Sequence, residues 1–237
     1  MLQDREKNIL EAVIKEFIKF GKPVSSNEVC DHYDFGIKSA TIRNELMRLE
    51  EKGFLYQPHV SGGRIPTDKG YEFFVSLVAD DIANHLTESI SEIFGILKKE
   101  FQISNTRNIV NSVSEELDCL GVGKSSSEKE IHKVGLDNLF ESLIGSQMIE
   151  NEMELFKVVR DFEAMDENMD ELWNFMKASN DPVIFVGRSP ITKSHHLSVI
   201  ADKFENNGKE TLLAAVGPKW MDYGKSIKFF KKLKSVI

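Results

Sequence analysis

The chain has 237 residues, 41% of them hydrophobic and 29% charged; that is the balance of a folded protein, and the length points to two domains. A formal net charge of −8 excludes a polycation that coats nucleic acid or anionic lipid indiscriminately. No apolar run approaches the ~18 residues of a membrane span, residues 1–7 carry charge without a signal-peptide core, and Cys30 and Cys119 are too few for a disulfide framework or a cysteine metal cluster, so a reducing cytoplasm is the expected compartment.

Residues 4–20 carry Ile9, Leu10, Val13, Ile14, Phe17 and Ile18 in a wide apolar stripe at helical spacing. Gly21 ends this helix and Pro23 blocks its continuation. Ser25 or Ser26 caps a short second helix to about Tyr33. Asp34-Phe35-Gly36 turns the chain, and Ser39 opens a third helix that runs to about Lys52, where Gly53 stops it. Residues 54–57 read as a short strand. After Pro58 and the tight Ser61-Gly62-Gly63-Arg64, Ile65 returns as a strand, Pro66 breaks it, and Thr67 caps a fourth helix with Tyr71, Phe73, Phe74 and Val78. Three helices, a two-stranded hairpin and another helix are the element order of a winged helix-turn-helix, expected over residues 1–80.

From about Asp81 the pattern changes. Ile82, Leu86, Ile90, Ile93, Leu97 and Phe101 recur at steps of four, four, three, four and four, a seam suited to packing on another helix. Residues 81–104 are therefore expected to form a helix that links the two domains. Strand-like runs at 117–122, 183–187, 197–200 and 211–217 interleave with helical patterns over 136–180 and 222–235, so residues 105–237 read as an α/β or α+β domain. Ser125-Ser126-Ser127 reads as an exposed loop.

On a wheel of the third helix, Ile42, Leu46 and Leu49 form the core side. Ala40, Asn44 and Arg48 lie opposite, flanked by Thr41 on one side and by Met47 and Arg43 on the other. In a major groove, Asn bonds an adenine edge bidentately, Arg takes guanine, and Thr reaches a phosphate or a thymine methyl. Lys38 and Ser39 stand at the helix start, where backbone N–H groups favour a phosphate. The alternative is a solvated helix face, with Glu45 and Glu51 diluting its charge. In helix-turn-helix geometry the preceding helix, opening at Ser25 and Ser26, crosses the backbone, and the hairpin tip offers His59, Ser61 and Arg64 to a minor groove or phosphate. Residues 38–69 hold six Lys/Arg against four Asp/Glu, while residues 81–237 hold nineteen against twenty-five. A DNA-binding face needs positive charge locally rather than globally.

Elsewhere the signals are weaker. His195-His196 has no cysteine or carboxylate at ligand spacing and reads as a surface loop. Gly121-Val122-Gly123 lacks the third glycine and following helix of a nucleotide fingerprint. Cys119 reads as a small core hydrophobe. Lys225, Lys228, Lys231, Lys232 and Lys234 read as the solvated face of a last helix, favourably near its C-terminal dipole. No metal, cofactor or catalytic constellation emerges.

Several runs carry a resemblance. Ser39-Ala40-Thr41-Ile42-Arg43-Asn44-Glu45-Leu46, Leu49-Glu50-Glu51-Lys52-Gly53-Phe54-Leu55 and Gln57-Pro58-His59-Val60-Ser61-Gly62-Gly63-Arg64-Ile65-Pro66-Thr67-Asp68-Lys69-Gly70-Tyr71 closely resemble the HrcA family of bacterial heat-inducible transcription repressors. Arg5-Glu6 with Ile9-Leu10, Pro23-Val24-Ser25-Ser26, Leu197-Ser198-Val199-Ile200 and Gly217-Pro218-Lys219-Trp220-Met221-Asp222-Tyr223 resemble it too. The resemblance implies a dimeric repressor on an inverted-repeat operator upstream of chaperone operons, a GAF-like C-terminal domain, and activity maintained by a GroEL-type chaperonin. Two features depart from the family: the segment over 101–134 is shortened where family members usually carry an inserted dimerisation subdomain, and Trp220 stands where the family more often has Arg. The first departure leaves the Ile82–Phe101 seam as the candidate dimerisation element. The competing reading is a ligand-responsive winged-helix regulator whose second domain senses a small molecule.

Overall fold

The computed structural model of the protein describes residues 2–59, 62–85, 92–145, 149, 152–176 and 181–237. It is a mixed α+β chain in two compact units, Met1–Asp80 and Asp81–Gly145 with Ile149–Ile237. No described helix is long and apolar enough to cross a membrane.

In the first unit, α1 (Asp4–Phe20) forms where the apolar stripe was expected. Ile9, Leu10, Val13, Ile14 and Phe17 are buried, each contributing about 1.5–3 kcal/mol relative to an exposed side chain. A box between Gln3 and Glu6 opens the helix, and Gly21, at φ 63°, ends it by donating to the Phe17 carbonyl. Ser25 rather than Ser26 caps α2 (Ser26–His32): its Oγ accepts from the Glu28 N–H at 3.2 Å, and its own N–H reaches the Glu28 carboxylate at 2.7 Å. α3 (Ser39–Glu51) starts after Lys38 and buries Ile42, Leu46 and Leu49.

The strands β1 (Leu55–Tyr56) and β2 (Ile65–Pro66) pair antiparallel, Leu55 with Pro66 and Tyr56 with Ile65. Pro66, expected to break the strand, closes it instead, because the hairpin is so short that its missing N–H costs no ladder. Thr67 accepts from the Gly70 N–H at 3.2 Å at the start of α4 (Asp68–His85).

The second unit contains a five-stranded, wholly antiparallel sheet in the order β4-β3-β7-β6-β5. Its strands are β3 (Leu120–Ser125), β4 (Ile131–Val134), β5 (Val183–Val186), β6 (Leu197–Asn206) and β7 (Lys209–Pro218). The helices are α5 (Glu92–Gln102), α6 (Thr106–Leu117), α7 (Leu136–Ile144), α8 (Glu152–Phe175) and α9 (Tyr223–Val236). α5, α6 and α9 cover one sheet face, where Phe101 meets Phe204 and Phe204 meets Phe230. α8 lies along the other, where Trp173 stacks under Lys203 and Phe175 meets Phe185.

Several expectations change here. Leu117 ends a helix, α6, which sequence periodicity did not separate from its surroundings, and β4 was not anticipated. The helical pattern over 136–180 divides into α7 and α8. Ser125 is buried at the end of β3, so only Ser126 and Ser127 form the exposed turn. Gly121 and Gly123 let α6 lie close to the sheet, since a Cβ on Gly123 would stand 2.3 Å from a Val110 methyl carbon.

Candidate nucleic-acid interface

Among the described residues, the outer face of α3 presents Ala40, Arg43, Asn44, Met47 and Arg48 to solvent, with Thr41 half-buried at its flank. The side chains of Lys38, Arg43 and Asn44 have no partner among the described residues. α3 also lacks an acidic residue in its first turn and a side-chain cap at Lys38, so the positive end of its dipole is left uncompensated beside Lys38 and Ser39.

Buried carboxylates hold this face in place. Glu45 is buried, and a single oxygen of it, Oε1, accepts from both Arg5 and Arg48, the latter at 3.4 Å. Its other oxygen has no partner among the described residues. Lys52, at the end of α3, bonds the buried Glu6 of α1 at 2.5 Å; that ammonium and the Gln3 N–H hold the Glu6 carboxyl below its usual range. Glu16 of α1 accepts from His32 Nδ1 at 2.8 Å and from the Tyr33 hydroxyl at 3.2 Å, anchoring the end of α2. Burial and the Glu16 charge push that hydroxyl up to about 12. The expectation that Glu45 dilutes the charge of the outer face is thus corrected. Glu45 lies on the core flank, the position the helical wheel gives it beside Ile42 and Leu49, and that wheel was signal enough to find it.

The hairpin differs most from expectation. Arg64 is not an exposed tip residue: it is 7% exposed, and its Nε donates to Glu50 at 3.0 Å. Its backbone bridges Val24, with N–H···O distances of 2.8 and 2.9 Å, so the stretch before α2 joins the hairpin as a third extended segment. Gly63 permits this approach, because a Cβ there would stand 2.5 Å from the Val24 carbonyl carbon. His59 is exposed at the tip, and Gln57 bonds the Gly62 carbonyl at 2.7 Å beneath it; Ser61 lies outside the described residues. Ser25 and Ser26 are half-buried at the start of α2, the Ser25 hydroxyl being engaged as its cap.

The dimerisation candidates scatter. Leu97 is fully buried within its own chain and Ile82 nearly so, whereas Ile93 is half-buried and Leu86 and Ile90 lie outside the described residues. α5 turns Phe94, Leu97 and Phe101 toward its own unit, Phe94 meeting Phe229 at 5.4 Å and Phe101 meeting Phe204 at 5.7 Å. This part of the seam is therefore core and does not offer a free face.

The remaining candidates resolve into structure. His196 pairs with Glu154 at 3.1 Å, yet burial lowers its pKa, and no cluster of three potential metal ligands occurs among the described residues. Cys119 is buried, its thiol pushed up to about 12 by desolvation. The lysines of α9 are not simply solvated: Lys225 pairs with Glu116 at 3.6 Å, Lys231 with Asp181 at 2.8 Å and Lys234 with the buried Asp202 at 2.7 Å.

Residues 71–227 match the HrcA protein C terminal domain. Two proteins named heat-inducible transcription repressor HrcA are similar over part of the chain. One, from Thermoanaerobacter sp. (strain X514), is 44% identical over 110 residues, covering 43% of this chain and 32% of the relative. The other, from Acetivibrio thermocellus, is 44% identical over 95 residues, covering 40% of this chain and 26% of the relative. The matched stretch thus spans a third or less of these relatives' length. In fold, the chain is similar to a solved structure described only as a hypothetical protein at 2.2 Å resolution, with a TM-score of 0.72 at 18% identity, covering 100% of this chain and 98% of that one. With the domain match extending over well more than half of its length, the chain belongs to the HrcA family.

Proposed function

We propose that the protein is a heat-inducible transcription repressor that binds double-stranded DNA through residues 1–80, folded as a winged helix-turn-helix with α3 as the recognition helix. The observation that carries this reading is the outer face of α3, where Asn44, Arg43 and Lys38 are exposed and unpartnered among the described residues while Glu45 beneath is turned inward and paired. Asn44 would take an adenine edge, Arg43 or Arg48 a guanine, and Thr41 a thymine methyl or phosphate. The acid-free start of α3 at Lys38 and Ser39, and the start of α2 at Ser25 and Ser26, would meet phosphates, with His59 at the wing. Arg64 serves as the brace of the wing to α3 rather than as a contact.

The names borne by the relatives support a role in heat-shock control. By family resemblance, the operator is an inverted repeat upstream of chaperone operons, the bound form is a homodimer, the second unit is a GAF-like regulatory domain, and a GroEL-type chaperonin keeps the repressor active in the cytoplasm. The reading includes no enzymatic step.

Gel shifts on such an inverted repeat test it. Asn44→Ala is expected to lose about 1–3 kcal/mol of discrimination against altered half-sites, and unchanged discrimination would refute the assignment. Heat-inactivated protein is expected to regain operator binding when chaperonin and ATP are added; no recovery counts against chaperonin dependence.

A further inference from the structure

On α3, Ala40, Asn44 and Met47 follow at steps of four and three, so they share one stripe at the centre of the outer face. Arg43 and Arg48 flank this stripe on either side. Met47 is 45% exposed, a large apolar side chain on a face whose other long side chains are charged or polar. A solvent-facing helix position beside two arginines buries little of a thioether in the free protein. It gains from one when a partner supplies apolar surface at that spot.

The major groove supplies such surface at one kind of base, since thymine alone carries a methyl group on its groove edge. We propose that Met47, assisted by the Ala40 methyl, is a specificity-determining residue that reads thymine methyl groups beside the adenine bonded by Asn44. The inference rests on the DNA-binding role proposed above and deepens it to a stated sequence class. Along the helix axis Met47 lies about 4.5 Å beyond Asn44, against a base-pair rise of about 3.4 Å, so the thymine falls one or two base pairs from that adenine. The unbranched, polarizable side chain adapts to a methyl on either strand. Half-sites that present A·T pairs under the centre of α3 are therefore preferred, with arginine contacts to G·C pairs at the edges.

In the test, a duplex is first selected from a randomised pool by the full chain. Each thymine of its half-site is then replaced in turn by deoxyuridine, which differs only in lacking the methyl group. The wild-type protein is expected to lose about 4-fold in affinity at one or two thymines, the effect of withdrawing one buried methyl from an apolar contact. Met47→Ala is expected to bind the thymine duplex more weakly and to show no further loss at those positions, while Met47→Leu retains the sensitivity and Met47→Gln loses it. Because the site is exposed, these variants keep the melting temperature of the parent, which separates a lost contact from a lost fold. A pool that yields no preferred duplex overturns both this inference and the DNA-binding reading. A preferred duplex whose deoxyuridine scan is silent, or to which Met47→Ala remains as sensitive as the wild type, overturns this inference alone.

Discussion

Arg64 and Glu50 illustrate how a charged pair serves shape before recognition. Arg64 is almost fully enclosed, Glu50 is half-exposed, and the bond between them ties the hairpin to the last turn of α3. Removing the carboxylate leaves a guanidinium buried without compensation, whereas removing the guanidinium frees a carboxylate that water can reach. Glu50→Ala is therefore expected to destabilise the protein by about 1–3 kcal/mol, the cost of leaving a buried polar group unsatisfied, and Arg64→Ala by less. Urea denaturation checks the order, and equal losses would contradict it. The Glu45 site is built differently: both of its arginines are about half-exposed, so they can return to water when Glu45 is replaced. The Arg64–Glu50 pair thus ties down the wing, while the arginines at Glu45 stay within reach of solvent.

At the scale of elements, glycines set which parts touch, and they differ in what a methyl group would strike. At Gly63 the obstacle is the backbone of Pro23 and Val24, while at Gly123 it is a side-chain methyl group of Val110. Gly63→Ala is expected to cost about 1–3 kcal/mol by overpacking and to weaken DNA binding as the wing detaches. Gly123→Ala is expected to cost less, as thermal melts of the two variants would reveal. The first unit was legible in the sequence almost throughout, because its elements are short and local: an amphipathic α1, a Ser25 cap with Glu28 three residues on, and glycine stops. The element order of the second unit was less so. α6 carries a good apolar stripe, but its neighbour β3 runs on from it with only Asp118 and Cys119 between, so the change of period is easily missed. β6 and β7 extend beyond the runs expected, to 206 and 209, where Asn207 and Gly208 both adopt positive φ. Asn-Gly is a strong hairpin signal, and it stands at the turn that the apolar runs alone did not place. Of the interface, the outward residues of α3 were legible from the wheel. The burial of Arg64 was not, since a tertiary bridge to Val24 leaves no local trace.

At the scale of the whole molecule, titration and salt read out the same division of charge. Glu6 has its pKa lowered by Lys52 and Gln3, so its contribution is present above the unfolded glutamate value of about 4.3 and lost as pH falls through the lower folded value. Asp202 has its pKa raised by burial, against the pull of Lys234. Its contribution is therefore present below about pH 3.9 and lost as pH rises through the raised folded value. In thermal melts from pH 3 to 7, Glu6→Gln is expected to shrink the acid-side loss of stability and Asp202→Asn to shrink the opposing trend; curves parallel to the wild type would refute both. For DNA the decisive quantity is local. The overall −8 leaves the second unit at −6, and the recognition segment over residues 38–69 at +2, with Glu45 and Glu50 already committed to arginines. Few phosphates are then neutralised, so the slope of log K against log salt is expected to be shallow, about −0.9 per phosphate contact. Lys38→Gln removes one such contact from each protomer. If the inverted repeat is held by a dimer, the slope must fall by about twice that unit, roughly 1.8, whereas a change near 0.9 would mean that one protomer alone engages the backbone through Lys38.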